Sequence, residues 1–200
     1  MKFFSLENPI WKFIGNLADF FLLSCLWYLC CLPVVTAATT ALYYVTLKMA
    51  RGQEGQLIPA FFHSFKQNLK QATALWVGYL AVGILLVLDL AICLQTSSVF
   101  AGAMFFTSVV LLACWALFIT MLFPLVARCD NTIGALFKMG IAMALRNVMP
   151  VLAALMVTVA FFAVGVFVFW PVLLVAPGLA SYCNAFLFNR IFDKYGMTLE

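Results

Sequence analysis

Four stretches of this 200-residue chain carry no Asp, Glu, Lys or Arg: residues 20–47, 71–88, 90–127 and 147–189. A bilayer's hydrocarbon core is roughly 30 Å thick, and about 20 helical residues cross it. The 38-residue and 43-residue runs are therefore each long enough for a helical hairpin. Composition agrees, with 66% hydrophobic and 9% charged residues and a mean hydropathy of +1.12, where soluble domains carry about 25% charge. The expected fold class is an all-α membrane protein. It is read as a polytopic bundle of about five transmembrane helices with interfacial amphipathic helices beside them.

Residues 1–200 are expected to form a single integral membrane domain, with no room for a soluble module at either end. The apolar run after Lys12 is too long for a signal-peptide core, so the first helix is expected to stay. The net charge of +4 suggests no nucleic-acid partner, because the basic residues flank apolar runs and form no patch. In a membrane protein that placement sets orientation. Seven cysteines invite a metal or disulfide reading. They lie almost wholly inside apolar runs with no CxxC, so they read as small buried hydrophobes.

Residues 1–12 mix Phe, Ile and Trp with two lysines, as an interfacial segment does. Spans are expected at about 13–35, 72–94, 104–126, 148–169 and 171–189. Interfacial helices are expected at about 59–71 and 132–147. In the first, Phe61, Phe65, Leu69 and Ala72 recur at helical spacing, with Lys66, Gln67, Lys70 and Gln71 between them. In the second, Asp130 or Asn131 is placed to cap the helix. A tight turn at Trp170-Pro171 joins the last two spans.

Pro33 interrupts the first apolar run, because an interior proline removes a backbone bond. Residues 36–48 are then either a bent continuation or a short re-entrant return, being too short for a separate crossing. With five spans, Lys48, Arg51, Lys66, Lys70, Arg128, Lys138, Arg146, Arg190 and Lys194 share one side, and Lys2 and Lys12 the other. That bias places the C-terminus and the basic loops in the cytoplasm. A re-entrant 36–48 would bring all the basic residues inside; the five-span arrangement is preferred. The two basic loops also echo each other. Each runs from an arginine (Arg51, Arg128) through a turn and a helix to a basic-plus-Asn pair (Lys66 with Asn68, Arg146 with Asn147), then enters a hairpin. Half-repeats of this kind occur in transporters.

No motif for catalysis, a cofactor or a metal is present, so no catalytic, cofactor-binding or metal-ligating residue is expected. Among polar residues, Asp19 and Asp89 lie in or near spans, where a carboxylate costs several kcal/mol unless hydrated or paired. Asn16 is one turn before Asp19. A stripe of Thr36, Thr39, Thr40, Tyr43 and Thr46 follows helical spacing, either lining a cavity suited to a polyol or packing closely against other helices. Asp19, Asn16, Thr39, Thr40 and Tyr43 form the candidate polar or packing site. His63 has no partner at ligand spacing and reads as a surface residue. Asn184 and Asn189 read as packing or end-of-span residues.

The segments Asn8-Pro9-Ile10-Trp11, Leu32-Pro33, Thr39-Thr40-Ala41-Leu42-Tyr43-Tyr44 and Phe65-Lys66-x-Asn68 resemble the YesL family of bacterial membrane proteins. The central ARCDNT…ALRN loop and the closing PGLASYCNAFLFNRIFDKY fit it too. The family is uncharacterised, and its members in Gram-positive bacteria are often encoded beside carbohydrate-uptake genes. The resemblance implies a non-enzymatic protein of the bacterial plasma membrane, accessory to a carbohydrate ABC transporter, whose permease subunits would be its partners in the lipid bilayer. The alternative is a small transporter or channel for a polar solute such as a sugar. An intramembrane enzyme is the weakest reading, since one histidine and two membrane-associated aspartates supply no nucleophile–base pair.

Overall fold

A computed structural model describes residues 9–53, 55–95, 99–129 and 131–197; the side chains of 9–16, 31–34 and 99 lie outside that description. Residues 1–8 of the expected interfacial segment and Asp130 therefore fall outside it. Six α-helices follow in order: α1 (Pro9–Met49), α2 (Leu57–Gln95), α3 (Val99–Arg128), α4 (Ile133–Arg146), α5 (Val148–Phe167) and α6 (Ala176–Lys194). A 3-10 turn at Trp170–Leu174 precedes α6. No strand occurs among the described residues, and the chain is an all-α membrane-type bundle. Among the described residues, three helices are long and apolar enough to cross a bilayer: α2, Phe100–Arg128 of α3, and α5.

Residues Pro9–Met49 are helical throughout, yet the chain is folded back on itself within α1. The Trp27 Nε1 donates to Thr39 Oγ1 at 3.1 Å, whereas twelve residues of straight helix span ~18 Å. The two limbs also track α6 in opposite senses. Gly178 N donates to Ser24 Oγ and Tyr182 packs on Phe20, so the first limb runs against α6. Asn184 meets Tyr43, Asn189 meets Leu47 and Asp193 meets Arg51, so the second limb runs with it. The fold-back lies between Trp27 and Thr39, the stretch that contains Pro33. Residues 36–48 are thus the return limb of a hairpin rather than a bent continuation of the first helix. The return limb, residues 36–49, measures only ~21 Å over its fourteen residues, short of a bilayer core. Spin labels at Leu17 and Met49 should therefore report a separation below ~25 Å by pulsed electron resonance, given helix packing at 8–10 Å. A separation near ~48 Å, the straight-helix value, would refute the hairpin.

The expected interfacial helix 59–71 and span 72–94 are one helix. The reason is a buried seam that keeps phase throughout: Phe61, Ser64, Asn68, Ala72, Leu75, Tyr79 and Gly83 follow each other by three or four residues, so a single face packs from end to end. Nothing along that face favours a turn at residue 71. Helix α3 returns antiparallel to α2. Tyr79 and Trp115 stack at 4.0 Å, Trp115 Nε1 donates to the Tyr79 carbonyl at 3.2 Å, and Ser108 donates to Asp89. Gly83 is the seat of the Trp115 ring, since a Cβ there would meet it at 2.3 Å.

Helix α4 buries one face through Leu136, Gly140, Met143 and Ala144. Its N-cap is Thr132 rather than Asn131, and Thr132 makes no side-chain capping bond. Asn131 is drawn elsewhere: its carbonyl accepts from Gln71 and its amide turns to Met139.

The expected fifth span differs most. Pro171 and Pro177 lack the N–H that a continuous helix needs, so 170–174 is a 3-10 turn and α6 opens only at Ala176. Eleven of its nineteen residues are buried, among them Asn184, Asn189 and Phe188. It is the central post of the bundle, in contact with α1, α3 and α5. The lipid-type surface is carried by α2 and α5, where Leu85, Met149 and Phe167 stand exposed. At one end gather Arg51, Arg128 and Asp193. At the other, Phe100, Phe169 and Trp170 are exposed, as in the aromatic belts of membrane interfaces.

Candidate functional site

The two arginines of the sequence echo meet on one side chain. Arg51 sits in the turn between α1 and α2, where Gly52 takes a positive φ of 68°. Arg128 ends α3. The Arg51 Nε and the Arg128 Nη1 each donate to Asn189 Oδ1 at 3.0 Å. The Asn189 Nδ2 donates to the Leu47 carbonyl, also at 3.0 Å. One turn on along α6, Asp193 forms an ion pair with Arg51 and lies 3.9 Å from Arg128. The Arg128 guanidinium also stands 5.1 Å over the Phe192 ring and donates to the Met197 carbonyl. Its side chain is 1% exposed. This clamp ties α1, α3, α6 and the following tail together. Burying a guanidinium is costly unless its charge is met and its donors find acceptors; Asn189 and Asp193, one turn apart on α6, serve the Arg128 Nη groups, while its Nε is buried without a partner.

The echo continues on the next helices. Asn68 Nδ2 donates to the Ser64 carbonyl at 3.0 Å, and Asn147 Nδ2 to the Met143 carbonyl at 2.9 Å. Both are buried asparagines bonded one turn back.

A second polar group crosses the middle of the bundle. The Asn184 amide donates to Thr158 Oγ1 at 2.8 Å and to the Tyr43 hydroxyl at 3.4 Å. The rest of the hydroxyl stripe is divided. Thr36, Thr40 and Thr46 are 0% exposed; Thr46 bonds back to the Leu42 carbonyl, while the Thr36 and Thr40 hydroxyls are buried without a partner. Thr39 turns to Trp27 on the other limb. Its expected face with Thr40 and Tyr43 is not one surface, because the hairpin packs both sides of the limb.

Asp19 lies apart from these residues. It lines an open cleft of about 500 Å³ with Met49, Gly52, Gln53, Gly55, Leu57 and Tyr182. The cleft adjoins the arginine clamp through the Arg51–Gly52 turn. The Asn16 side chain lies outside the described residues. His63 is exposed. No group of three His, Cys, Asp or Glu side chains that could hold a metal occurs among the described residues.

The residues that sequence reasoning undervalued are Asn189, the clamp's acceptor, and Ser24 with Gly178, the contact that seats α6 on α1. Asn189 had only an indirect signal: two arginines stand at matching places in the echoed loops, which does not name the side chain that bonds both. The Ser24–Gly178 contact had none.

No curated protein and no solved structure matches the chain. A family model described as a protein of unknown function, DUF624, matches residues 20–90, so the chain is similar to that family through the described α1 hairpin and most of α2.

Proposed function

We propose that this chain is a YesL-type, non-enzymatic protein of the bacterial plasma membrane, an accessory that assembles with a carbohydrate ABC transporter and regulates or stabilises it. The observation that carries this reading is the sealed hydroxyl face: Thr36, Thr40 and Thr46 have no exposed surface. The stripe that would line a path for a polyol is spent on helix packing. The arginine clamp acts likewise as a staple between helices. Clustering of Arg51, Arg128 and the tail at one end supports a cytoplasmic basic face, and the α1 hairpin brings the Asp19 end to that same face.

The test is affinity purification of the C-terminally tagged chain from native membranes, with the tag read in intact and permeabilised cells. Permease subunits should co-purify, and the tag should be reached only after permeabilisation. Recovery of the chain alone would count against the accessory role, and a tag accessible from outside would invert the orientation. A second reading, a small transporter, is favoured by the cleft that reaches Asp19. Under that reading liposomes holding the purified protein take up labelled sugar and Asp19→Asn slows them; under the accessory reading they show no flux.

A further inference from the structure

Two opposite charges stand without a countercharge in one cleft at the clamp end of the bundle. The cavity that Asp19 and Tyr182 line adjoins a second, of about 290 Å³, that Lys48 lines; both are bounded by Met49, Gln53, Gly55 and Leu57. Among the described residues the ion pairs are those of Asp193 with Arg51 and Arg128. Asp19 and Lys48 are thus paired neither with each other nor with a neighbour in that set. The Asp19 carboxylate and the Tyr182 hydroxyl also make no hydrogen bond among those residues.

Lys48 is held in place without being neutralised. Its Nζ donates to the Tyr44 hydroxyl at 2.7 Å and stands 4.4 Å over the Tyr44 ring, which leaves two of an ammonium's three N–H groups for a ligand. Asp19 and Tyr182 are set beside each other by the packing of Phe20, whose ring lies 4.8 Å from that of Tyr182. Both charged residues are half-buried, where a charge without a partner is costly. The margin of the cleft is apolar: Leu22, one turn from Asp19, and Ile58, next to Leu57, are exposed.

We propose that this cleft binds the headgroup of a zwitterionic phospholipid that carries a primary ammonium, the ethanolamine class. Asp19 and the Tyr182 oxygen accept from the ammonium, and Lys48 donates to the phosphodiester; charge-assisted hydrogen bonds are the strong ones. The ligand has one charge of each sign, as the cleft does, so binding meets both and adds no net charge. A neutral sugar would leave both unmet. An anionic headgroup without the ammonium would answer Lys48 and leave Asp19 unpaired. A quaternary ammonium has no N–H to give the carboxylate. The exposed Leu22 and Ile58 meet the acyl chains, which a water-soluble amino phosphate lacks. The site is independent of whether the chain serves as an accessory or as a transporter.

The full chain, freed of bound lipid by detergent exchange, is titrated with ethanolamine, choline and glycerol phospholipids of equal chain length, and occupancy is read by native mass spectrometry. The ethanolamine lipid should bind tightest, on the order of 10-fold above the other two, the worth of a charged hydrogen bond. Asp19→Asn, which keeps the side chain's shape, should erase that preference and leave glycerol-lipid binding no weaker. Lys48→Gln should weaken all three lipids. Equal binding of the three headgroups by the parent chain overturns the proposal, as does undiminished ethanolamine-lipid binding by Asp19→Asn. Soluble glycerophosphoethanolamine that binds as tightly as the lipid would overturn the lipid as the ligand. The headgroup series uses the parent chain alone, so it decides the matter even where a variant fails to fold.

Discussion

Gly178→Leu is expected to abolish the native bundle. Even one Cβ at this position would stand 2.6 Å from the Phe20 carbonyl oxygen, 3.1 Å from the Phe20 Cα and 3.0 Å from Ser24 Oγ. Two of those three atoms are backbone, so no rotamer change relieves the clash, and α6 must move away from the first limb of α1. Overpacking usually costs about 1–3 kcal/mol, the range expected for Gly178→Ala. Leucine adds three further carbons and breaks the Gly178 N–Ser24 bond of 2.9 Å. Its cost should approach the whole stability of a domain, about 5–15 kcal/mol. Ser24→Ala is the control: it loses a single hydrogen bond worth about 1 kcal/mol. Thermal unfolding in detergent, with size-exclusion profiles, reads all three. A Gly178→Leu protein that elutes and melts like the parent would refute the α1–α6 packing.

Asn189→Leu is expected to cost about 3–5 kcal/mol, the range found on breaking a buried charge network. The replacement fills a similar volume but removes the acceptor of both Arg51 and Arg128 and the donor to Leu47. The Arg128 side chain, 1% exposed, cannot turn to water. Two comparisons separate lost hydrogen bonds from lost packing. Asn189→Asp keeps an acceptor for both guanidiniums and should be milder. Adding Arg128→Met to Asn189→Leu should restore stability, because removing both partners of a buried polar pair costs less than removing one. If the double variant is the less stable of the two, packing around Asn189 matters and the clamp does not.

The all-helical, membrane-type character followed from the charge-free runs alone, because lipid imposes a length and a polarity on anything that crosses it. So did the amphipathic faces of 59–71 and 132–147, since helical periodicity is local: Phe61 and Ala72 are buried, while Lys66 and Lys70 are exposed. The placement of Arg51, Arg128 and the tail at one end was likewise legible from the spacing of spans. Tertiary structure decided the rest. Whether α1 bends or folds back at the Pro33 stretch depended on what the two limbs could pack against. Trp27, Thr39, Ser24 and Gly178 settle that together, and none of them signals it singly. The last apolar run reads as a membrane span by composition, and packing makes its helix a buried post. Its polarity is met by Thr158, Tyr43 and two arginines, residues 26 to 141 positions away. Hydropathy along a chain measures what a segment would lose in water. It carries no information about which distant side chain will accept a hydrogen bond from Arg128, and at that point only the packed structure could choose Asn189.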